Sequence, residues 1–463
     1  MSQLTEQRGE VSCPALFLAG PASGEGKTTV TAALARALKN QGKRVRIFKT
    51  GPDYLDPQVL AQASGHPVEQ LDIWMAGEAY CQAHLFQAAQ EADFILVEGA
   101  MGLFDGDPSS ADLAACFGIP IAIVMNVKGM AQTTAAIING LASYRDDIKI
   151  QGLIANNCGS DRHAELIRDA LADDTPLLAT LKRDPSIALP ERHLGLVQAS
   201  EAEEQLEVCF EAGASALING ALGIENLENI FSRVSFSSPA KTVEALPKSL
   251  AGLTVAVAKD EAFSFIYQAN LDLLTELGAD YCFFSPLADQ IMPEADALWL
   301  PGGYPELHAK RLSENTTMLA SIASFHQAEK PILAECGGFL YCLESLCDLD
   351  DETFPMAGLL SGQGAMRGKR GCQGMQTAVL PEGELRGHAH HRSRSAGLQE
   401  ALSFARRQRH TAPGEAIYRD RGLTASYLHL FFPSNPEAIG TLFSIDELHQ
   451  LTPDQIVEPE HVA

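Results

Sequence analysis

Two short stretches carry residue types that could do covalent chemistry. In AECGGFLYCL, Cys336 stands between an apolar run and two glycines. A strand that turns sharply into a helix through small residues presents the side chain at the turn, and the helix start is expected to lower a thiol's pKa there. Such a nucleophile needs a base and a pair of oxyanion donors. LWLPGGYPE places Gly302 and Gly303 at another strand end, where their amides and that of Gly337 could face a developing oxyanion. TASYLHLFF places His429 in a short β-like run, as the preferred base. His388, His390 and His391 in RGHAHHRSRS compete for that role, and their spacing also allows a metal reading that the basic surroundings disfavour. Cys342 falls on the helix and is read as core.

The second stretch, GPASGEGKTT, follows a strand and opens a helix. Such a loop aims backbone N–H groups at phosphate oxygens, with Gly24 and Gly26 in the turn, Lys27 reaching the β/γ-phosphates, Thr28 holding Mg²⁺ and Thr29 continuing the helix start. Five residues separate Gly20 from Gly26-Lys27, where the usual spacing has four, and Pro21 stands where the first glycine would fall. FILVEGA ends in Glu98, a metal candidate at a parallel strand tip, followed by Asp105 and Asp107. KTGPDYLDP holds Lys49, Asp53, Tyr54 and Asp56 where ligands collect at the carboxyl end of a parallel sheet. Asp56 has a second reading, as the cap of the following helix.

Both stretches need α/β scaffolding. From Pro14 the pattern runs strand, Gly-rich turn, helix and strand (RVRIFK), with further apolar runs at ADFILVEGA, IPIAIVMNV and IQGLIANN. A Ser/Pro/Lys stretch from Ser235 to Leu250 reads as a linker, after which LTVAVAKD, a helical segment from Ile266 to Leu277, ADYCFFSPL, DALWLPGG and KPILAECGG restart the alternation. The expectation is two doubly wound α/β domains, residues 1–240 and 250–450, with a mobile tail over the last dozen residues. No internal repeat is evident.

Composition limits the function classes. At 463 residues and 46% hydrophobic content, the chain can fill two cores. With 59 acids against 34 bases and a formal charge of −25, it is ill suited to nucleic acid or anionic membrane surfaces. No apolar run approaches the ~20 residues of a membrane span and the first residues are polar, so a cytoplasmic protein is expected. The ten cysteines form no CxxC pair and no Cys/His ligand spacing, which argues against a zinc site or a disulfide framework.

The motifs GPASGEGKTT, KTGPDYLDP, VEGAMGLFDG, RDPSIALPERHLGLV, PGGYPELHA, AECGGFLYCL and SYLHLFFPSNP, in this order, resemble the a,c-diamide synthases of corrin biosynthesis over nearly the whole chain. The long glycine spacing is similar to that of dethiobiotin synthetase, the fold relative of the family's first domain. The resemblance implies an N-terminal P-loop, dethiobiotin synthetase-like domain and a C-terminal class I glutamine amidotransferase-like domain. It further implies ATP, Mg²⁺, L-glutamine and a corrinoid as cofactors and partners, in a possible homo-oligomer. Cys336 would attack glutamine, His429 would activate it, and ammonia would serve the first domain. Lys27, Thr28 and Glu98 match the ATP and Mg²⁺ positions. Asp53, Tyr54, Leu55 and Asp56 match the loop that meets corrinoid and phosphorylated intermediate, Asp105 matches a further catalytic acid, and Asn156 resembles an adenine-reading asparagine.

Phe431 stands where triad amidotransferases proper carry glutamate, so the resemblance implies a Cys–His dyad, as in this family. The chain departs from the family pattern in two places: Leu60 stands where His is usual, and GHAHHRS (Gly387 to Ser393) replaces a sequence with EFHYS. These leave the catalytic set intact and put the substrate fit and the support of His429 in question. The implied activity is amidation of the a and c carboxylates of cobyrinic acid. Alternatives are the same chemistry on hydrogenobyrinic acid or nickel sirohydrochlorin, and a non-catalytic phosphate-loop ATPase acting as a switch or assembly factor.

Overall fold

The computed structural model describes residues 9–192, 195–196, 198–220, 227–239, 246–367 and 371–444. The chain divides into two compact units, residues 1–243 and 244–463. The tail over residues 452–463 lies outside the described residues.

In the first unit the order is β1 (Glu10–Ala19), α1 (Lys27–Asn40), β2 (Val45–Lys49), α2 (Leu55–Ser64), β3 (Glu69–Gln70), α3 (Glu78–Glu91), β4 (Phe94–Glu98), α4 (Ser110–Phe117), β5 (Ile121–Asn126), α5 (Thr133–Ser143), β6 (Ile150–Cys158), α6 (Asp161–Arg168) and β7 (Leu177–Lys182). A ribbon of β8 (Glu191–Arg192) and β9 (Gly195–Leu196), then α7 (Glu203–Asn219) and β10 (Ser232–Ser237), complete it. The strands run in the order β3-β2-β4-β1-β5-β6-β7, parallel throughout. Because side chains alternate along a strand, Leu16 and Leu18 of β1 enter one core with α1 and α7. Ala15, Phe17 and Ala19 enter another with α3 and α4. Both faces are therefore covered, as a central parallel strand requires.

β10 corrects the linker expected from Ser235. SRVSFS pairs antiparallel with the first half of β1, burying Val234 and Phe236. Its two apolar residues at period two were overshadowed by the serines around them.

The second unit contains β11 (Thr254–Ala258), α8 (Gln268–Glu276), β12 (Asp280–Phe284), β13 (Ala297–Leu300), α9 (Ala309–Glu314), α10 (Thr316–Gln327), β14 (Ile332–Glu335), α11 (Gly337–Cys342), β15 (Ser345–Cys347), β16 (Thr353–Pro355), β17 (Gln363–Met366), β18 (Cys372–Leu380), β19 (Gly383–His391), β20 (Ser393–Ala396), β21 (Ser403–Arg407), β22 (Pro413–Asp420), β23 (Leu423–Ser426), β24 (Leu428–Leu430) and α12 (Pro436–Phe443). Its main sheet runs β12-β11-β13-β14-β23-β22-β21-β18-β19-β24. The first five strands are parallel, as the sequence alternation implies. The rest form an antiparallel extension that the polar sequence from residue 372 to 420 did not announce.

α11 lies so close to β13 that a Cβ on Gly338 would stand 2.0 Å from the Leu300 carbonyl oxygen. Backbone cannot yield there as a side-chain tip can. Gly338→Ala is expected to cost about 1–3 kcal/mol and to lower the thermal midpoint of the chain. Gly140→Ala, on a face of α5 with open space around it, should leave or slightly raise the midpoint.

Candidate functional site

β1 ends at Ala19, and the loop to α1 reverses through Gly24 at φ 82° and Gly26 at φ 89°, where glycine is favoured. A Cβ on Gly26 would meet Asn156 Nδ2 at 2.1 Å. That same Nδ2 donates to the Glu25 carbonyl at 3.0 Å, and Glu25 Oε2 accepts the Asn126 amide at 2.6 Å. The tips of β5 and β6 thus hold the loop through Glu25, a residue the motif did not single out. Lys27 Nζ donates to the carbonyls of Ala22 (3.0 Å) and Met101 (2.6 Å). Thr29 sits beside it on the first turn of α1.

Below the loop lies a charged cluster. Lys49 Nζ, buried at the end of β2, donates to Asp56 Oδ2 and Glu98 Oε1, both at 2.6 Å, with Asp53 Oδ2 at 3.7 Å. Thr28 Oγ1 stands 3.0 Å from Glu98 Oε1 and 3.2 Å from Asp56 Oδ2. Burial pulls Lys49 toward the neutral amine, but Asp56, Glu98 and Asp53 together outweigh it and hold the ammonium above its usual range. Burial opposes ionisation of Asp56, yet Lys49 and Thr28 hold it below the usual carboxylate range. Asp53 is pushed up by burial and then by the charge of Asp56.

The capping role weighed for Asp56 belongs to Asp53, whose Oδ1 accepts the amides of Leu55 (3.0 Å) and Asp56 (3.1 Å). That leaves Asp56 free to face Lys49. Tyr54 and Leu55 are buried at the start of α2. Asp105 is exposed, its Oδ2 accepting the Gly102 amide at 3.1 Å, and among the described residues no ion pair ties it to the Lys49 cluster.

In the second unit β14 delivers Cys336 into a turn at φ 46°, ψ −98°, a conformation non-glycine residues adopt only under strain. Its amide donates to the Ser426 carbonyl at 2.8 Å. A Cβ on Gly337 would lie 2.9 Å from the Gly303 nitrogen, and one on Gly302 would lie 2.2 Å from His429 Cε1. The Gly302–Gly303 turn is therefore packed against both α11 and the imidazole, and glycine is the only residue that fits. The three glycines and His429 come together as the sequence suggested.

Glu335, one residue before the thiol, was not singled out. Its Oε1 accepts the Leu430 amide at 2.6 Å and its Oε2 accepts the Trp299 indole N–H at 2.9 Å. Burial pushes it up to about 8, against the pull of these two donors. His388, a competitor for the base, pairs with His429 across the β19/β24 ladder and stacks on it, with ring centroids 5.0 Å apart and planes 15° apart. Tyr267 lies within 3.4 Å of His388 Nδ1 and edge-on to Phe431. Aromatic packing surrounds His429 where triad enzymes carry a carboxylate. His390 is exposed, His391 packs elsewhere, and Cys342 is fully buried as expected.

The expected depression of the thiol pKa is not found. Burial pushes Cys336 well above its usual range, the charge of Glu306 adds to this, and the Gly337 amide only partly opposes it. α11 has six residues, too short to offset a thiol 5% exposed. Burial likewise pushes His429 down to about 3. Burial thus keeps both the thiol and the imidazole neutral at rest.

Buried neutral histidines carry a pH signature. Between pH 6.5 and about 3 the unfolded chain protonates a histidine that folded His429 does not, so this contribution is complete above pH 6.5 and lost as pH falls. His388 is lowered for the same reason, while Glu335 and Glu306, raised by burial, act in the opposite sense. The test is therefore a difference. Replacing His388 by Phe should flatten the acid-side loss of stability between pH 6.5 and 5 by up to about 1.4 kcal/mol per pH unit, followed by Trp299 fluorescence in a Trp74→Phe background.

Comparison with known proteins agrees with this division. Residues 16–197 match the CobQ/CobB/MinD/ParA nucleotide binding domain, and residues 254–437 match the CobB/CobQ-like glutamine amidotransferase domain. The chain is 49% identical over 431 residues to the hydrogenobyrinate a,c-diamide synthase of Stutzerimonas stutzeri (strain A1501), covering 93% of this chain and 98% of that one. It is 49% identical over 437 residues to the protein of the same name in Pseudomonas aeruginosa, covering 94% and 98%. To the cobyrinate a,c-diamide synthase of Herminiimonas arsenicoxydans it is 44% identical over 443 residues, covering 93% and 96%. A phosphate loop over a Lys–Asp–Glu cluster, a strained thiol turn beside a histidine, and likeness along nearly the full length place this chain in the cobyrinate/hydrogenobyrinate a,c-diamide synthase family.

Proposed function

We propose that the chain is an ATP-dependent carbon–nitrogen ligase that amidates the a and c carboxylates of a corrin-ring acid with nitrogen from glutamine, a step of cobalamin biosynthesis. The observation that carries this reading is the presence of two chemically different groupings in one chain: Lys27, Thr28 and Glu98 at a phosphate loop, and Cys336 with His429 at a glycine-lined turn.

A carboxylate resists direct amidation because oxide is too poor a leaving group. Its oxygen therefore attacks the γ-phosphorus of ATP, ADP departs, and an acyl phosphate forms. Ammonia then attacks the acyl carbon and inorganic phosphate leaves, giving the amide and a proton. In the second unit His429 takes the Cys336 proton, and sulfur attacks the glutamine side-chain carbonyl. The oxyanion is received by the amides of Gly303 and Gly337. His429 returns the proton to the departing ammonia, and water hydrolyses the thioester to glutamate.

Gly24, Gly26, Thr29 and Asn156 shape the nucleotide site, with Asn156 acting through the Glu25 carbonyl beside any adenine contact. Lys49 draws Asp56 into the cluster, and Asp53, Tyr54, Leu55 and Asp105 face the macrocycle and its phosphorylated carboxylate. Mg²⁺ fits beside Thr28, where Glu98 Oε2 is fully buried and, among the described residues, has no hydrogen-bond partner. When bound there, the ion would neutralise phosphate charge. The 49% identity to two proteins named for hydrogenobyrinate favours the metal-free ring as a second reading beside cobyrinic acid. Among the described residues no helix is long and apolar enough to cross a membrane.

The test is mass spectrometry of the product from ATP, Mg²⁺, glutamine and each macrocycle in turn. The ring that gains two amides is the substrate, and the absence of product from every ring contradicts the reading. Cys336→Ala should abolish glutamine-dependent amidation and keep the ammonia-dependent reaction. Lys27→Ala should lower both by about 100-fold or more, as expected when a transition-state charge contact worth ~3 kcal/mol is removed.

A further inference from the structure

The antiparallel extension brings together three side chains that no motif joins and that neither proposed site uses. Cys372 on β18 and His391 on β19 are direct cross-strand partners. Glu415 on β22 is tied to β18 through its amide, which donates to Gln376 Oε1 at 2.8 Å. One ligand atom from each of the three lies within 4.8 Å of the others. His391 Nδ1 stands 3.0 Å from the Ser393 carbonyl, which can only accept, so Nδ1 carries the proton and Nε2 presents a lone pair. The side chain is 8% exposed, and among the described residues Nε2 has no hydrogen-bond partner. It faces Glu415 Oε1 at 3.4 Å, a contact that becomes an ion pair only when the imidazole is protonated.

That separation is informative. A charge-assisted hydrogen bond would draw the two atoms to about 2.7–2.9 Å. A nitrogen at about 2.0–2.1 Å and an oxygen at about 2.0–2.2 Å from one tetrahedral zinc ion stand about 3.4 Å apart. We propose that Cys372, His391 and Glu415 form a binding site for a zinc-like divalent cation, three protein donors with one open position.

The donor set is that of a borderline-soft ion, with imidazole, thiolate and carboxylate together. On binding, the Cys372 thiol releases its proton to solvent, and thiolate plus carboxylate balance the two positive charges. Burial and then Glu415 push the Cys372 thiol up, and Arg407, with Nη2 3.7 Å from Sγ and Nε donating to the Pro413 carbonyl at 3.0 Å, only partly offsets them. The Ser393 carbonyl does for His391 what second-shell acceptors do for metal-bound imidazoles, fixing the tautomer and the ring plane. Tyr427 stacks on that ring at 3.9 Å, with planes 6° apart. The arginines that disfavour a cation when RGHAHHRSRS is read as a string do not decide the matter, because strand alternation leaves His390 exposed and brings His391 to Glu415. The proposal is independent of the ligase reading.

The full-length chain, stripped with a chelator, is dialysed against zinc sulfate and then metal-free buffer, and bound zinc is measured by mass spectrometry. The wild type should retain about one zinc per chain. Cys372→Ser and His391→Gln should each weaken zinc binding by about tenfold or more, with unchanged circular dichroism in the absence of metal. Cobalt added to the stripped wild type should give a near-ultraviolet thiolate-to-metal charge-transfer band that is lost in Cys372→Ser and kept when the exposed Cys116 is replaced by Ser. Retention of no zinc by the wild type would overturn the site, as would variants that bind zinc and show the cobalt band like the wild type. Using two ligand variants on different strands keeps the test decisive if one of them folds poorly.

Discussion

The thiol site depends on one buried carboxylate. Glu335 ends the strand that delivers Cys336, and its two oxygens accept from Leu430, next to His429, and from Trp299, on the strand that runs into Gly302 and Gly303. Cys336, His429 and the Gly302–Gly303 turn are set by three strands, and this side chain, carried on one of them, is hydrogen-bonded to the other two. A buried carboxylate costs solvation energy, and here the cost is offset by two directed donors. An apolar residue of similar size would leave the Leu430 amide and the indole N–H without these acceptors.

The two sites use opposite electrostatics. In the first unit Lys49 stays charged because three carboxylates surround it, so the phosphate loop sits above a preformed set of charges. In the second, burial keeps both Cys336 and His429 neutral. A neutral thiol is a poor nucleophile, which protects it from oxidation and stray alkylation. In the proposed mechanism the thiolate forms only when its proton passes to the imidazole as glutamine arrives.

What the sequence made legible were the loops whose backbone leaves little choice. GPASGEGKTT, PGGYPELHA and AECGGF each need glycine where a Cβ would strike backbone or a neighbouring side chain, so residue type alone reports geometry. The parallel strands were equally readable, since strands buried on both faces are continuous apolar runs. Features set by register were not readable. Glu335 stood inside a quoted motif, but its role comes from an amide 95 residues away. His388 reaches His429 only because β19 and β24 pair at that register. β10 is half polar and overlaps the stretch read as a linker, and the half-polar strands between residues 372 and 420 gave no strand reading at all. The thiol pKa was misjudged because a helix start is visible in sequence, whereas the depth of burial that outweighs it is not.

The most direct measurement is the steady-state rate of glutamine-dependent and ammonia-dependent amidation by Glu335→Gln. The amide keeps the size of the side chain but turns an NH₂ toward one of the two N–H donors. A loss of about 1–3 kcal/mol of positioning energy predicts that glutamine-dependent kcat falls by about tenfold or more, while the ammonia-dependent rate stays at the wild-type value. If the variant uses glutamine as well as the wild type, the carboxylate does not set the thiol site and the account is wrong.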